Sequence, residues 1–256
     1  MGISKDQNTP LHIAVLSGHT STVEKLLHTG ANVNAVNKDN KTPLQYAVEF
    51  YCSESVVALV SAGAKVDVVN EYTYKTPLHY AAGKDDNKSI EALLSKGAKV
   101  EVVDKYNKTP LHYAVEHYCS KSIVALVSAG AKVDVVIEDN KTPLHYAVEK
   151  GDNKSVKALL SAGAKVEVVD KRGENALNMV LYYPNTVYGF NDDMKLSAIN
   201  VMKLLLDTNI PLDNVDRHGK TPLQYIDSNI RSAGTKTDFY KEAKLLLLKA
   251  IQRKGN

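Results

Sequence analysis

Four histidines, His12, His79, His112 and His145, follow the same tripeptide Thr-Pro-Leu, and a row of imidazoles can serve metal binding or acid–base catalysis. The pattern argues against both. Two further copies of the string carry Gln45 and Gln224 at that place. An amide can replace imidazole as a hydrogen-bond partner, but it cannot replace it as an acid or base. His112, His117 and Cys119 approach a ligand set, yet their spacing matches no zinc pattern and a fourth ligand is missing. No Gly-rich phosphate loop, nucleophile elbow or paired carboxylates beside an obvious cleft occur. No enzymatic activity, cofactor or bound metal is therefore expected. Tyr46, Tyr80, Tyr113, Tyr146 and Tyr225 stand one residue after the His or Gln. Such a ladder could stack bases only if basic grooves flanked it. With 32 basic against 29 acidic residues the net charge is only +3, so no nucleic-acid partner is expected. The tyrosines are expected to pack along helices with their hydroxyls toward water.

The positioning elements follow from a period. Thr-Pro-Leu begins at Thr9, Thr42, Thr76, Thr109, Thr142 and Thr221, with a degenerate copy at Asn175-Ala176-Leu177. The steps are 33 or 34 residues except the last, which carries a 13-residue insertion. Thr can cap a helix whose first turn takes Pro, where the missing N–H costs nothing. After a turn, a second helix such as Ser155 to Leu160 ends at Gly163, with Gly30, Gly63, Gly97 and Gly130 at the matching sites. Asn209 stands there in the sixth unit. An extended arm then leads to a turn where Asn40, Asn107, Asn140, Gly173 and Gly219 tolerate positive φ, and where Gln7 and Tyr74 depart from the rule. A longer period overlies the short one. Ala47 to Ser53 returns as Ala114 to Ser120 with one change, and Asp86-Asn87-Lys88-Ser89 returns as Asp152 to Ser155. The array thus grew by copying pairs of units.

The chain has 256 residues, 44% of them hydrophobic and 24% charged, which suits a folded globular protein rather than a disordered one. No apolar run approaches the ~20 residues of a membrane span. The longest, Leu245 to Leu248, lies between Lys244 and Lys249. No apolar leader follows Met1, so a cytoplasmic location is expected.

Thr-Pro-Leu-His-x-Ala, two helices and a β-turn in 33 residues resemble the ankyrin repeat. The resemblance implies an all-α solenoid of stacked helix pairs with projecting β-turn fingers, in which the His ring bonds the neighbouring finger's backbone. On this reading residues 1–256 form a single array. Its repeats start near 5, 38, 71, 105, 138, 171 and 217, with an insertion at 184–193 and a capping helix at 238–253. The cap is expected to turn Leu245 to Leu248 inward, leaving a polar end and a monomer. Cys52 and Cys119 occupy equivalent places two repeats apart. Helices pack ~10 Å apart, which separates the sulfurs by roughly 20 Å. A disulfide needs Cα atoms within ~7 Å. Both are expected to be free thiols, partly exposed, in a reducing compartment.

What the resemblance implies for function is protein–protein recognition on the concave face of fingers and first helices, by a non-catalytic scaffold. The residues free to vary there are Lys41, Lys75, Lys108 and Lys141, joined by Lys220 in a nearly regular row. Beside them stand Glu49, Phe50, Lys84, Glu116, His117, Glu149 and Lys150, with Tyr72 and Tyr106 at finger tips. The lysines form either a solvated edge paired to Glu49, Glu116 and Glu149, or a track for an acidic ligand. Tyr188 and Phe190 in the insertion either bind the partner or tuck against neighbouring repeats. An alternative is an adaptor or secreted effector fragment that targets host proteins. The Asn-, Lys- and Tyr-rich, Trp-free composition resembles ankyrin proteins of intracellular bacterial symbionts.

Overall fold

A computed structural model describes residues 6–186, 190–231 and 236–254, with no side chains described at 183–186. The chain groups into two units, Met1–Lys132 and Val133–Asn256. The first contains α1 (Pro10–Leu16), α2 (Thr20–His28), α3 (Pro43–Glu49), α4 (Ser53–Ser61), α5 (Pro77–Ala82), α6 (Asn87–Ser95), α7 (Pro110–Glu116) and α8 (Ser120–Ser128). The odd-numbered helices pack side by side in one row and the even-numbered helices in another. The second unit repeats this plan. Its first row is α9 (Pro143–Glu149), α11 (Ala176–Thr186) and α13 (Pro222–Ile230). Its second row is α10 (Asn153–Ser161), α12 (Asp192–Leu206) and α14 (Thr237–Lys254). No strand occurs among the described residues.

The first helices start as their sequence requires. In α1, α3, α5, α7, α9 and α13 a Thr caps the helix, Pro opens it, and the His or Gln three residues on closes a capping box. The second helices bury residues three apart: Val56 and Leu59 in α4, Ile90 and Leu93 in α6, Ile123 and Leu126 in α8, all fully buried. Six or seven residues of first helix cannot hold themselves together in water. Their stability comes from stacking on the neighbouring pair.

Backbone conformation runs ahead of residue type at the finger turn. Asn40, Asn107, Asn140, Gly173 and Gly219 are left-handed there, and so are Gln7 (φ 54°) and Tyr74 (φ 56°). The stack imposes the turn even where the side chain opposes it. Asn209, by contrast, is not among the left-handed residues, so the sixth unit closes its second helix differently from Gly163 and its equivalents.

One finger lacks its side-chain brace. Asn37, Asp104, Asp170 and Asp216 each accept two backbone N–H bonds across their turn. Ile137 fills that place in the fifth unit and can accept none, and its turn carries two successive left-handed residues, Asp139 and Asn140. Ile137→Asp is expected to raise stability by about 1 kcal/mol, read as a higher urea midpoint. An unchanged or lower midpoint would mean that the half-buried Ile137 side chain outweighs the missing bonds.

Two expectations about burial need correcting. Four consecutive residues cannot all face inward when each is turned ~100° from the last. Of Leu245 to Leu248, only Leu247 is buried, beside Phe239, Tyr240, Ala243 and Ala250. Leu245, Leu248 and Ile251 are exposed, so the cap carries an apolar stripe among its lysines. Cys119, at the start of α8, is buried rather than partly exposed, although a left-handed residue precedes it just as Tyr51 precedes Cys52. Cys52 is half-buried, and neither cysteine is in a disulfide. The insertion is also not a plain loop: α11 runs on to Thr186 and α12 begins at Asp192.

Candidate partner-binding face

The histidines hold the fingers. His79 is fully buried. Its Nδ1 accepts the Thr76 N–H at 3.1 Å, which leaves the ring proton on Nε2 to donate to the Lys108 carbonyl at 3.0 Å. His12 reaches the Lys41 carbonyl and His145 the Val168 carbonyl in the same way. Burial lowers the pKa of all three, most at His79, which falls to about 4 despite the bond to Lys108. Imidazoles held neutral between two backbone groups have a structural task.

The tyrosine hydroxyls do not all face water. Tyr113 is buried and donates to Asp104 Oδ2 at 2.6 Å, whose Oδ1 takes the Tyr106 and Lys108 amides. Burial alone would raise the Asp104 carboxyl, but these three donors outweigh it and hold it below the usual range. Asn37 plays the same part for Tyr46, whose hydroxyl accepts from Nδ2 at 2.9 Å. Tyr182 donates to Asp216 at 2.6 Å.

The lysines stand on this frame. Lys41, Lys108 and Lys141 pair with Glu49, Glu116 and Glu149, each eight residues on, at 2.6, 2.9 and 2.7 Å. Burial would lower the Lys41 ammonium; Glu49 outweighs that and holds it above its usual value. Lys220, with no glutamate eight residues on, donates to the Ser228 hydroxyl at 3.2 Å. Lys75 has Gly83 eight residues on, and its ammonium lies over the rings of Tyr113 at 4.3 Å and Tyr80 at 5.6 Å. Lys84 lies over Tyr51 at 3.8 Å and donates to the Glu49 carbonyl. Lys150 is half-buried.

The aromatics form short stacks on the first unit. Exposed Phe50 stacks on Tyr46 at 6.1 Å, and exposed His117 stacks on Tyr113 at 6.4 Å. The paired copying of repeats thus puts the same arrangement two units apart. Tyr72 is 75% exposed and Tyr106 54%, both at finger tips. Phe190 meets the buried Phe239 at 5.7 Å, edge to face, and so packs on α14. Tyr188 lies outside the described residues. Sequence reasoning missed Asp104 and Asn37 as the braces beneath this surface. Their signal was an Asp or Asn nine residues before a Tyr.

Short helix pairs and hydrogen-bonded fingers, with no metal-competent His/Cys/Asp/Glu group among the described residues, define a helical repeat protein. The chain belongs to the ankyrin-repeat family: the family described as "Ankyrin repeats (3 copies)" matches residues 2–70, 53–137 and 104–170. The ankyrin repeat domain of Bcl-3, described as a unique member of the IkappaB protein family, is similar with a TM-score of 0.70 and 27% identity. That match covers 86% of this chain and 95% of the other. The human ASB11 ankyrin repeat domain has a TM-score of 0.71 at 24% identity, covering 93% and 98%, which shows a shared fold. No curated protein matches the sequence.

Proposed function

We propose that this protein is a non-catalytic scaffold that binds a protein partner on the face formed by its fingers and first helices. The observation that carries the reading is the set of exposed aromatics, Phe50, Tyr72 and Tyr106, standing on a braced polar frame. Rigid aromatics at the centre of a surface supply most of the binding energy of protein interfaces. The histidines, which alone suggested chemistry, are committed to the backbone. Paired Lys41, Lys108 and Lys141 are better suited to a polar rim than to an open anionic track. Among the described residues no helix is long and apolar enough to cross a membrane. Two cysteines outside any disulfide fit a reducing, cytoplasmic setting.

The double variant Phe50→Ala/Tyr106→Ala is expected to capture at least about tenfold less partner from source-cell extract than the native array, as for loss of two interface anchors. Its circular dichroism should be unchanged, because both side chains are exposed. Undiminished capture by the folded variant would remove the face from consideration.

A further inference from the structure

The lysine–glutamate pair of the first helices is broken in one repeat only of the first unit's three adjacent copies. Repeats two and four close it with Glu49 and Glu116. In the repeat between them the position of the glutamate is Gly83. Gly83 has an ordinary backbone there, so no turn demands glycine. A Cβ at this site would meet His117 Cδ2 at 3.3 Å and Tyr113 Cβ at 3.6 Å. The missing side chain therefore brings exposed His117 down against the first helix of the third repeat.

What glycine removes is a negative charge. Lys75 keeps its place over Tyr80 and Tyr113, and among the described residues no carboxylate forms an ion pair with it. Lys84, one residue after Gly83, adds a second cation, turned toward the Glu49 backbone and the Tyr51 ring. With Glu49 and Glu116 already bonded to Lys41 and Lys108, the centre of this face holds lysines in excess of carboxylates. Tyrosine rings beneath an ammonium leave its outer side free to accept an anion.

We propose that Lys75 is a receptor position for the side-chain carboxylate of an acidic peptide segment in the partner. That carboxylate completes from outside the pair that the neighbouring repeats complete from within. The proposal rests on the scaffold reading above and names the chemistry of its partner.

The probe is N-acetylated hexaglutamate, titrated at low salt against the full chain and followed by the amide and side-chain shifts of isotope-labelled protein. Binding should centre on Lys75, Tyr80 and Tyr113. Lys75→Gln and Gly83→Glu should each weaken it at least fivefold, the first by removing the cation and the second by pairing it internally. Gly83→Gln, which crowds His117 equally without adding charge, should stay within twofold of the native chain. Hexaglutamate that fails to bind, or binds Gly83→Glu as well as Gly83→Gln, overturns the proposal. So does Lys75-dependent dimerisation, which would assign the position to a second copy. Partner capture that depends on Phe50 and Tyr106 but ignores Gly83→Glu would leave the scaffold standing and this inference refuted.

Discussion

Replacing His79 by alanine lowers the unfolding free energy by about 3 kcal/mol, since each buried polar group left unpaired costs about 1–3 kcal/mol. The orphaned groups are the Thr76 amide and hydroxyl, the Lys108 carbonyl keeps only the Asp104 amide, and the lost ring leaves a cavity beside them. His79→Gln should cost far less, because Gln45 caps Thr42 in the same way at 2.9 Å. The residue also ties stability to pH. Its folded pKa, about 4, lies below the 6.5 of the free group, so folding favours the neutral ring. This contribution is whole above pH 6.5, and it is lost as the pH falls toward 4. His12 and His145, lowered by burial in the same direction, add to the loss. Urea titrations followed by circular dichroism at pH 7.5 and pH 5 should show the native array weakened at the lower pH, and His79→Gln weakened less. A native midpoint that does not move over this range would contradict the neutral-histidine assignment.

The second large effect is expected at Asp104. Asp104→Ala removes the one oxygen that accepts two backbone amides and the partner of the buried Tyr113 hydroxyl, and hydrogen bonds to charged groups contribute about 1.5–3 kcal/mol each. A loss of about 3 kcal/mol is expected after partial relaxation. Asp104→Asn should cost less than about 1 kcal/mol, since Asn37 accepts the same pair of amides and still bonds Tyr46. The carboxyl is held below its usual range, so its contribution is present above the unfolded pKa near 4 and lost as the pH falls through the folded value. Thermal unfolding of Asp104→Ala, Asp104→Asn and the native chain at pH 7 ranks the three. Equal losses in both variants would show that charge, rather than the hydrogen-bond pattern, sustains the finger.

Both predictions concern parts of the repeat that differ in how openly the sequence displays them. The Thr76-to-His79 link is a three-residue relation that recurs at every first helix, so it is visible wherever Thr-Pro-Leu-His is written. The Asp104-to-Tyr113 brace spans a finger and a helix, and the varied residues at the equivalent places, Asn37, Asn70 and Ile137, disguise it. The Lys-to-Glu pairs were legible as a spacing of eight. The cation of Lys75 over rings from two different repeats was not.

The amino-acid sequence by itself determined the repeat, the start of each first helix and the family, because capping, proline and periodic burial act within a turn or two of helix. The expectation of free cysteines likewise needed only the period. Tertiary structure decided how far each side chain is buried and what it meets. Cys119 went inside, Leu245 and Leu248 stayed out, and Phe190 turned onto Phe239. It also forced Gln7 and Tyr74 into the left-handed turn that Asn and Gly occupy elsewhere. The reason is one of range. A turn at the finger is set by hydrogen bonds and stacking from neighbours about thirty residues away, as when the Lys105 amide binds the Thr73 carbonyl. Those forces override the preference of a single residue, which costs only about 1–2 kcal/mol in the left-handed region.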